Sequence, residues 1–446
     1  MRLFAGATAL PFLVVVANTQ ATAQARPGFE VERMAGKSFL RAAGGVLAAN
    51  ALVWGANRFA KDEPSARVGT RSWERNLETG FTWDADGFIN NQLGHPYHGG
   101  LYFNAARVNG YGFWASVPFV AAGSLLWEFF GETTAPSIND LVNTTLGGVA
   151  LGEISDRLSS RVLQGGGKWR GLVAGAVSPA GGAQRVLGGA HRQERGASSD
   201  AEPPTRRNSL AIGYLSQDVE GAPEGQAFVE FASQERSPFD EAVRRPFDAF
   251  EFEVEVTPGD RAIVTRTRAR GLLARRFLRR AERSQLVAGL FQEYDYVNLS
   301  SYEFGGQSLS GGLLYRRIWG ASTEIRAGAE LRGLVLGGIA SDHAERADRG
   351  YDYGPGLGSA LSVSLRHGGR ELLRFEHGLL WLKSISRADA VHRASFTRAE
   401  VHVPVAVGIG VGADLGIWGR DSRYDRMPVA NQRVTRVRIY LVGPSS

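Results

Sequence analysis

The sequence predicts an α+β protein, with an N-terminal helical domain followed by a C-terminal antiparallel β-barrel of about twelve strands. Three observations predict it. Apolar residues recur at helical spacing up to residue 164. From residue 208 the period changes to alternation. The chain also opens on what reads as an export signal. In that signal, Arg2 precedes an uncharged apolar stretch over 3–16, and Ala23-Gln24-Ala25 has the A-x-A form of a cleavage site. Residues 1–25 are therefore expected to be a signal peptide, with the mature chain starting near Arg26. The apolar stretch is too short for a membrane anchor.

Composition narrows the class. The 57 glycines of 446 residues exceed a usual share of ~7%. Low mean hydropathy argues against a polytopic helical membrane protein. It leaves a barrel open, because lipid-facing and lumen-facing residues alternate there. The net charge of +6 is spread along the chain, so no nucleic-acid partner is expected. With no cysteine, disulfides, iron–sulfur clusters, thiolate zinc sites and cysteine nucleophiles are excluded.

In the helical domain, expected over 26–164, residues 34–60 carry an apolar surface of Phe39, Ala43, Val46, Leu47, Leu52 and Val53. Lys37, Arg41 and Arg58 make this a packing helix rather than a spanning one. Residues 73–88 are aromatic and mixed, and 95–109 read as a second helix. The stretch 113–130 is a third, uncharged until Glu128; Ser116, Pro118 and Ser124 favour a packed helix over a spanning one. Ser137 followed by Asp140 marks the start of a helix running to about residue 163, where three glycines stop it. Inside it, Gly148 and Gly152 form a G-x-x-x-G pattern that admits another backbone closely. Residues 165–207 are expected to be a linker.

The barrel is expected over 208–446. Phe250, Phe252, Val254 and Val256 alternate with Glu251, Glu253 and Glu255, and Arg266, Arg268 and Arg270 alternate in the next run. A tight turn at Pro258-Gly259-Asp260 places Glu253 opposite Arg266 and Glu251 opposite Arg268. An arginine on the lipid side would cost ~2–4 kcal/mol, so Glu251, Glu253, Arg266 and Arg268 are expected in the lumen and the apolar set against lipid. The basic run Arg275 to Arg283 would face lipid headgroups or solvent, and the polar stretch 342–352 suits an external loop.

One constellation could carry chemistry. Ser124, Glu128 and Glu132 share a helical stripe, as do Asp140, Asn143 and Gly147, and His95 lies one turn from His98. Three packed helices would gather His95, Arg107, Glu128, Glu132, Asp140 and Asn143. Two His and several carboxylates suit a metal or acid–base work. A structural polar core, in which Arg107 pairs with Glu128 or Glu132, is the preferred expectation. No metal and no cofactor is assigned.

Two resemblances follow from particular residues. Trp73-Glu74-Arg75-Asn76, Gly80-Phe81-Thr82-Trp83-Asp84, His95-Pro96-Tyr97, Tyr102-Phe103-Asn104-Ala105-Ala106-Arg107, Gly123-Ser124 before Trp127-Glu128, Ser137-Ile138-Asn139-Asp140, Gly147-Gly148 and Gly152-Glu153 together resemble the uncharacterised bacterial envelope family DUF3943. The resemblance implies a helical envelope domain, often with strands behind it, and no activity. His95, Glu128 and Asp140/Asn143/Gly147 also resemble the pattern of VanZ-like helical proteins. The phosphate-binding Arg and paired His of lipid phosphatases are missing, so that activity is not implied. The expected function is an outer-membrane barrel with its helical domain on the periplasmic side. Its expected partners are outer-membrane lipid and lipid headgroups, in a structural or envelope role without catalysis. The alternatives are a lipid-acting envelope enzyme using the polar cluster and transport through the lumen.

Overall fold

A computed structural model describes residues 37–84, 86–164, 169–182, 206–219, 222–258, 263–299, 302–341, 350–386 and 389–443. The expected signal peptide, the glycine stop at 165–167, most of the linker, the hairpin tip and most of the 342–352 loop lie outside them. The chain divides into two compact units, one helical and one β.

The helical unit has seven helices among the described residues: α1 Phe39–Gly55, α2 Thr70–Thr79, α3 His95–Val108, α4 Phe113–Leu126, α5 Ile138–Val142, α6 Gly148–Gln164 and α7 Arg170–Val177. Four wider, π-type turns interrupt or extend them at Ala56–Ala60, Asn90–Gly94, Trp127–Gly131 and Asn143–Gly147. Helix α3 is buried nearly all round and is the core of the unit. It can approach α6 closely because both helices present glycine at the crossing. A Cβ on Gly148 would lie 2.5 Å from Gly99 Cα, and one on Gly99 would overlap the Thr144 carbonyl. The G-x-x-x-G pattern therefore meets Gly99 and Gly100. Helix α4 packs by one stripe, Phe113, Ser116, Val120, Gly123 and Ser124, continued by Trp127 and Glu128. Phe39–Ala60 and Phe113–Gly131 are each long and apolar enough to cross a membrane, and both leave apolar side chains exposed.

Helix α7 falls inside the expected linker. Its Val173, Ala174 and Val177 are buried, and Ser178 Oγ donates to Asn104 Oδ1 at 2.6 Å. The helical unit thus continues past residue 164. A short apolar helix among glycines has too weak a period to stand out in sequence.

The β unit is a closed barrel of twelve antiparallel strands in sequence order, with β1 closing on β12. The strands are β1 Arg206–Val219, β2 Ala222–Glu235, β3 Phe250–Val256, β4 Val264–Ala281, β5 Ser284–Asn298, β6 Glu303–Trp319, β7 Thr323–Ala340, β8 Tyr351–His367, β9 Arg370–Lys383, β10 Ala390–Ala406, β11 Ile409–Tyr424 and β12 Ala430–Val442. The end where the chain enters and leaves carries short connections, apart from that between β2 and β3. Outward positions from β6 round to β1 are apolar and exposed, including Leu331 at 74% and Leu357 at 71%. Glycine notches hold large inward side chains: a Cβ on Gly412, Gly416 or Gly378 would overlap Tyr440, Trp418 or Phe396.

The β3–β4 hairpin corrects two expectations. Its register is Glu251↔Arg270, Glu253↔Arg268 and Glu255↔Arg266, two residues from the predicted pairing. The connection is longer than a tight turn, and the register shifts at Glu255/Val256. A two-residue slip preserves facing, so Glu and Arg still share the lumen. Phe250, Phe252 and Val254 do face outward, yet they are buried. Phe252 packs with Phe231, and the outward Tyr294 and Tyr296 are buried as well.

The α3–α6 approach sets a test. Gly148→Ala should cost the helical unit about 1–3 kcal/mol by overpacking. Gly44→Ala, with nothing within 4 Å of its new Cβ, should gain about 0.5–1 kcal/mol. Urea titration of the detergent-solubilised chain, followed by helical circular dichroism, measures both.

Candidate functional site

The polar centre of the helical unit is built where three π-type turns meet. Asn90–Gly94 runs directly into His95, Trp127–Gly131 contains Glu128, and Asn143–Gly147 follows the short helix that carries Asp140. Such turns re-aim side chains that a regular helix would spread around its axis. One ligand atom each from His95, Glu128 and Asp140 lies within 4.8 Å of the others, and all three residues are buried.

Each member is held. His95 Nδ1 and Thr144 Oγ1 are 3.1 Å apart, while Nε2 lies 3.6 Å from Asp140 Oδ1. Ser137 caps α5, its Oγ accepting from Asp140 N, and its own N–H donates to Glu128 Oε2 at 2.8 Å. Asn139 Nδ2 donates to Asp84 Oδ1 at 2.7 Å and to Asp140 Oδ1 at 2.9 Å. Asn91 also donates to Asp84, at 3.0 Å. Beneath, Asn76 Nδ2 donates to the carbonyl of Glu132 at 3.0 Å. His98 Nε2 sits 2.8 Å from the Tyr102 hydroxyl.

Arg107 is elsewhere. It pairs with Glu153 at 2.8 Å, where Arg157 also binds, and lies 3.8 Å from Asp156. Among the described residues, no Lys or Arg pairs with Glu128 or Asp140. Asn143 is buried one turn beyond Asp140. The sequence reading missed Asp84, Asn139 and Thr144. Asp84 closes the Gly80-Phe81-Thr82-Trp83-Asp84 string, and Asn139 precedes Asp140, so their signal was present but unassigned.

Without a cation, these groups give up charge. Burial pushes the Glu128 and Asp140 carboxyls well above the usual carboxylate range, and neighbouring acids add to it. Burial raises Glu132 to about 8. It lowers His95 to about 4 and His98 to about 3.

The barrel lumen is the second candidate site. Arg266 lies 2.7 Å from Glu230 and 3.1 Å from Glu253; Arg268 reaches Glu376 at 2.9 Å; Arg270 reaches Glu330 at 2.7 Å and Glu293 at 3.1 Å. Arg398 joins Glu253 at 3.2 Å from across the lumen, and Arg438 joins Glu230 at 2.7 Å. Glu251 sits at the margin, 3.6 Å from Arg374. Within the β3–β4 hairpin the charges therefore pair diagonally and across the lumen, whereas Arg270 with Glu293 and Arg438 with Asp414 are directly opposed partners on neighbouring strands. Leu299 and Tyr302, from the β5–β6 connection, pack with Trp418 and Val434 of β11 and β12, six strands round the ring. At the other end Phe239 and Val243 tuck against Leu272, Phe291 and Leu314. A cavity of about 300 Å³ remains, lined in part by Arg207, Arg366, Arg370, Glu371 and His402.

Residues 80–180, which include His95, Glu128 and Asp140, match the family described as "Domain of unknown function (DUF3943)". No curated protein matches the chain. Similar solved structures include the NanC porin, 8% identical with a TM-score of 0.28, covering 53% of this chain and 98% of that one. Others are the KdgM porin, 10% identical at 0.22 over 52% and 98%, and an anion-selective porin from Comamonas acidovorans, 8% identical at 0.20 over 54% and 99%. Those scores are low, and the barrel rests on the strand pairing above.

The buried acids set a pH test. Between about 4.5 and 8 the folded chain keeps a proton on Glu132 that the unfolded chain releases, so stability falls as pH rises. His95 and His98 act oppositely below about 6.5, where the unfolded chain binds protons that the fold refuses. Above that only the carboxyl effect remains. In chelator, the helical unit should lose about 2 kcal/mol from Glu132 alone between pH ~6.5 and ~8. Glu132→Gln should reduce the slope in denaturant titrations by that amount, leaving the share of Glu128 and Asp140.

Proposed function

We propose that the chain is an outer-membrane protein whose barrel serves as a closed anchor, with the helical unit on the periplasmic side, in a structural or lipid-associated role. The observation that carries this reading is the lattice of arginine and carboxylate pairs across the lumen, joining β2, β3, β4, β9, β10 and β12. A lumen tied in this way is filled by its own side chains. Buried pairs of this kind are costly to form and costlier to break, about 3–5 kcal/mol for removing one partner. They suit a barrel that holds one shape.

Three further features support the membrane reading. The strand number is even, as in bacterial single-chain barrels. The outward row from β6 round to β1 presents Leu, Val, Ile, Phe and Trp to the surroundings. The charged residues turn inward, the arrangement that hydrocarbon requires. Chain order supports the periplasmic side for the helical unit. Periplasmic turns are short in such barrels, and β1 starts at the end where β4–β5, β6–β7, β8–β9 and β10–β11 are joined by two or three residues.

Transport of a small solute is the second reading, and the observation that favours it is the cavity of about 300 Å³ beside the lattice. The two readings part in a planar bilayer. The anchor reading expects outer-membrane fractionation, heat-modifiable gel mobility and no steady conductance. Arg398→Met should lower the unfolding midpoint in detergent by the equivalent of about 3–5 kcal/mol, because Glu253 and Asp414 lose a shared partner. A steady ohmic conductance in wild-type protein would favour transport, and recovery in the detergent-free soluble periplasm would overturn the membrane assignment.

A further inference from the structure

We propose that His95, Glu128 and Asp140 bind one divalent transition-metal cation of the zinc or manganese type. The inference concerns the helical unit and does not rest on the anchor reading. It departs from the sequence expectation, which assigned no metal.

The three side chains come from separate elements and converge within 4.8 Å. Bonds of about 2.0–2.2 Å from each ligand would set the donor atoms ~3.5 Å apart, so a cation would draw this set slightly inward. Glu128 is the decisive member. It is 0% exposed, and its Oε2 accepts from Ser137 while its Oε1 has no hydrogen-bond partner. A buried carboxylate oxygen left without a donor is expensive. Here the carboxylate that carries it converges with an imidazole nitrogen and a second buried carboxylate.

The surroundings are those of a ligand set. Thr144 Oγ1 holds His95 Nδ1, leaving Nε2 towards Asp140. An outer hydroxyl or carbonyl of this kind fixes the ring orientation of a metal-binding histidine. Asn139 bridges Asp140 to Asp84, which keeps a further acid at the edge. Among the described residues no Lys or Arg offers Glu128 or Asp140 a compensating charge, and Arg107 is held by Glu153. One imidazole with two carboxylates is a mixed donor set, suited to zinc or manganese rather than to soft-metal thiolate chemistry.

The test uses tag-free, full-length chain in detergent, stripped with chelator and dialysed against ZnCl2 or MnCl2. Elemental analysis should find one tightly held equivalent of at least one metal, and loading should raise the unfolding midpoint of the helical unit. Glu128→Gln and Asp140→Asn should weaken binding at least about tenfold, and Thr144→Val about tenfold with the fold intact. Pulsed electron paramagnetic resonance of the Mn²⁺-loaded wild type should show coupling to a single imidazole nitrogen, a readout that does not depend on variants folding. Sub-stoichiometric uptake of both metals, no nitrogen coupling from stoichiometrically bound Mn²⁺, or wild-type affinity in folded Glu128→Gln and Asp140→Asn would each overturn the proposal.

Discussion

A carboxylate taken out of water must find a positive charge or surrender its own. The two units of this chain meet that constraint in opposite ways. In the barrel, buried acids are matched by arginine, often twice over: Glu253 meets Arg266 and Arg398, and Glu255 meets Arg436 and Arg438. Closure of the sheet makes this matching possible, because it brings β3 within reach of β10 and β12. In the helical unit, Glu128 and Asp140 are as deeply buried, and their nearest basic group is an imidazole. The first arrangement fixes a shape. The second leaves negative potential to be discharged by protons or by a cation.

The helical site exists because two backbones approach without side chains between them. Gly99 against Gly148 brings the start of α3 to the segment that carries Thr144. The wide turns then rotate His95, Glu128 and Asp140 towards one point. The buried polar residues around them, Asn76, Asn91 and Asn139, tie loops to helices. They contribute neutral donors, so they satisfy oxygen atoms without supplying charge.

Much of the architecture was legible in sequence because periodicity is a local property. Alternation at Phe250–Val256 identified a strand and its charged face, and parity survived the two-residue error in register. The error arose from a non-local quantity, the length of a connection with a bulge beside it. The burial of Phe252 and Tyr294 could not be read from alternation, which says which face a residue takes and not how exposed it is there. In the helical unit, the stripes carrying Glu128 and Asp140 were visible as spacing. The partner of Arg107 was not, because Glu153 lies on another helix with no sequence relation to it. Thr144 escaped for the same reason: its role exists only once α3 crosses α6.

The glycine notches of the barrel wall have an evolutionary consequence. Gly412 with Tyr440, Gly416 with Trp418 and Gly378 with Phe396 are each one shape divided between two positions. Neither half can drift alone, since a side chain at the glycine collides with the ring and a smaller ring leaves a void. Across diverging relatives such positions should exchange bulk as couples, the glycine enlarging only where its aromatic shrinks. The inside of the wall would then change in matched steps, while the outward leucines and valines, which share no such notch, are free to interchange one at a time.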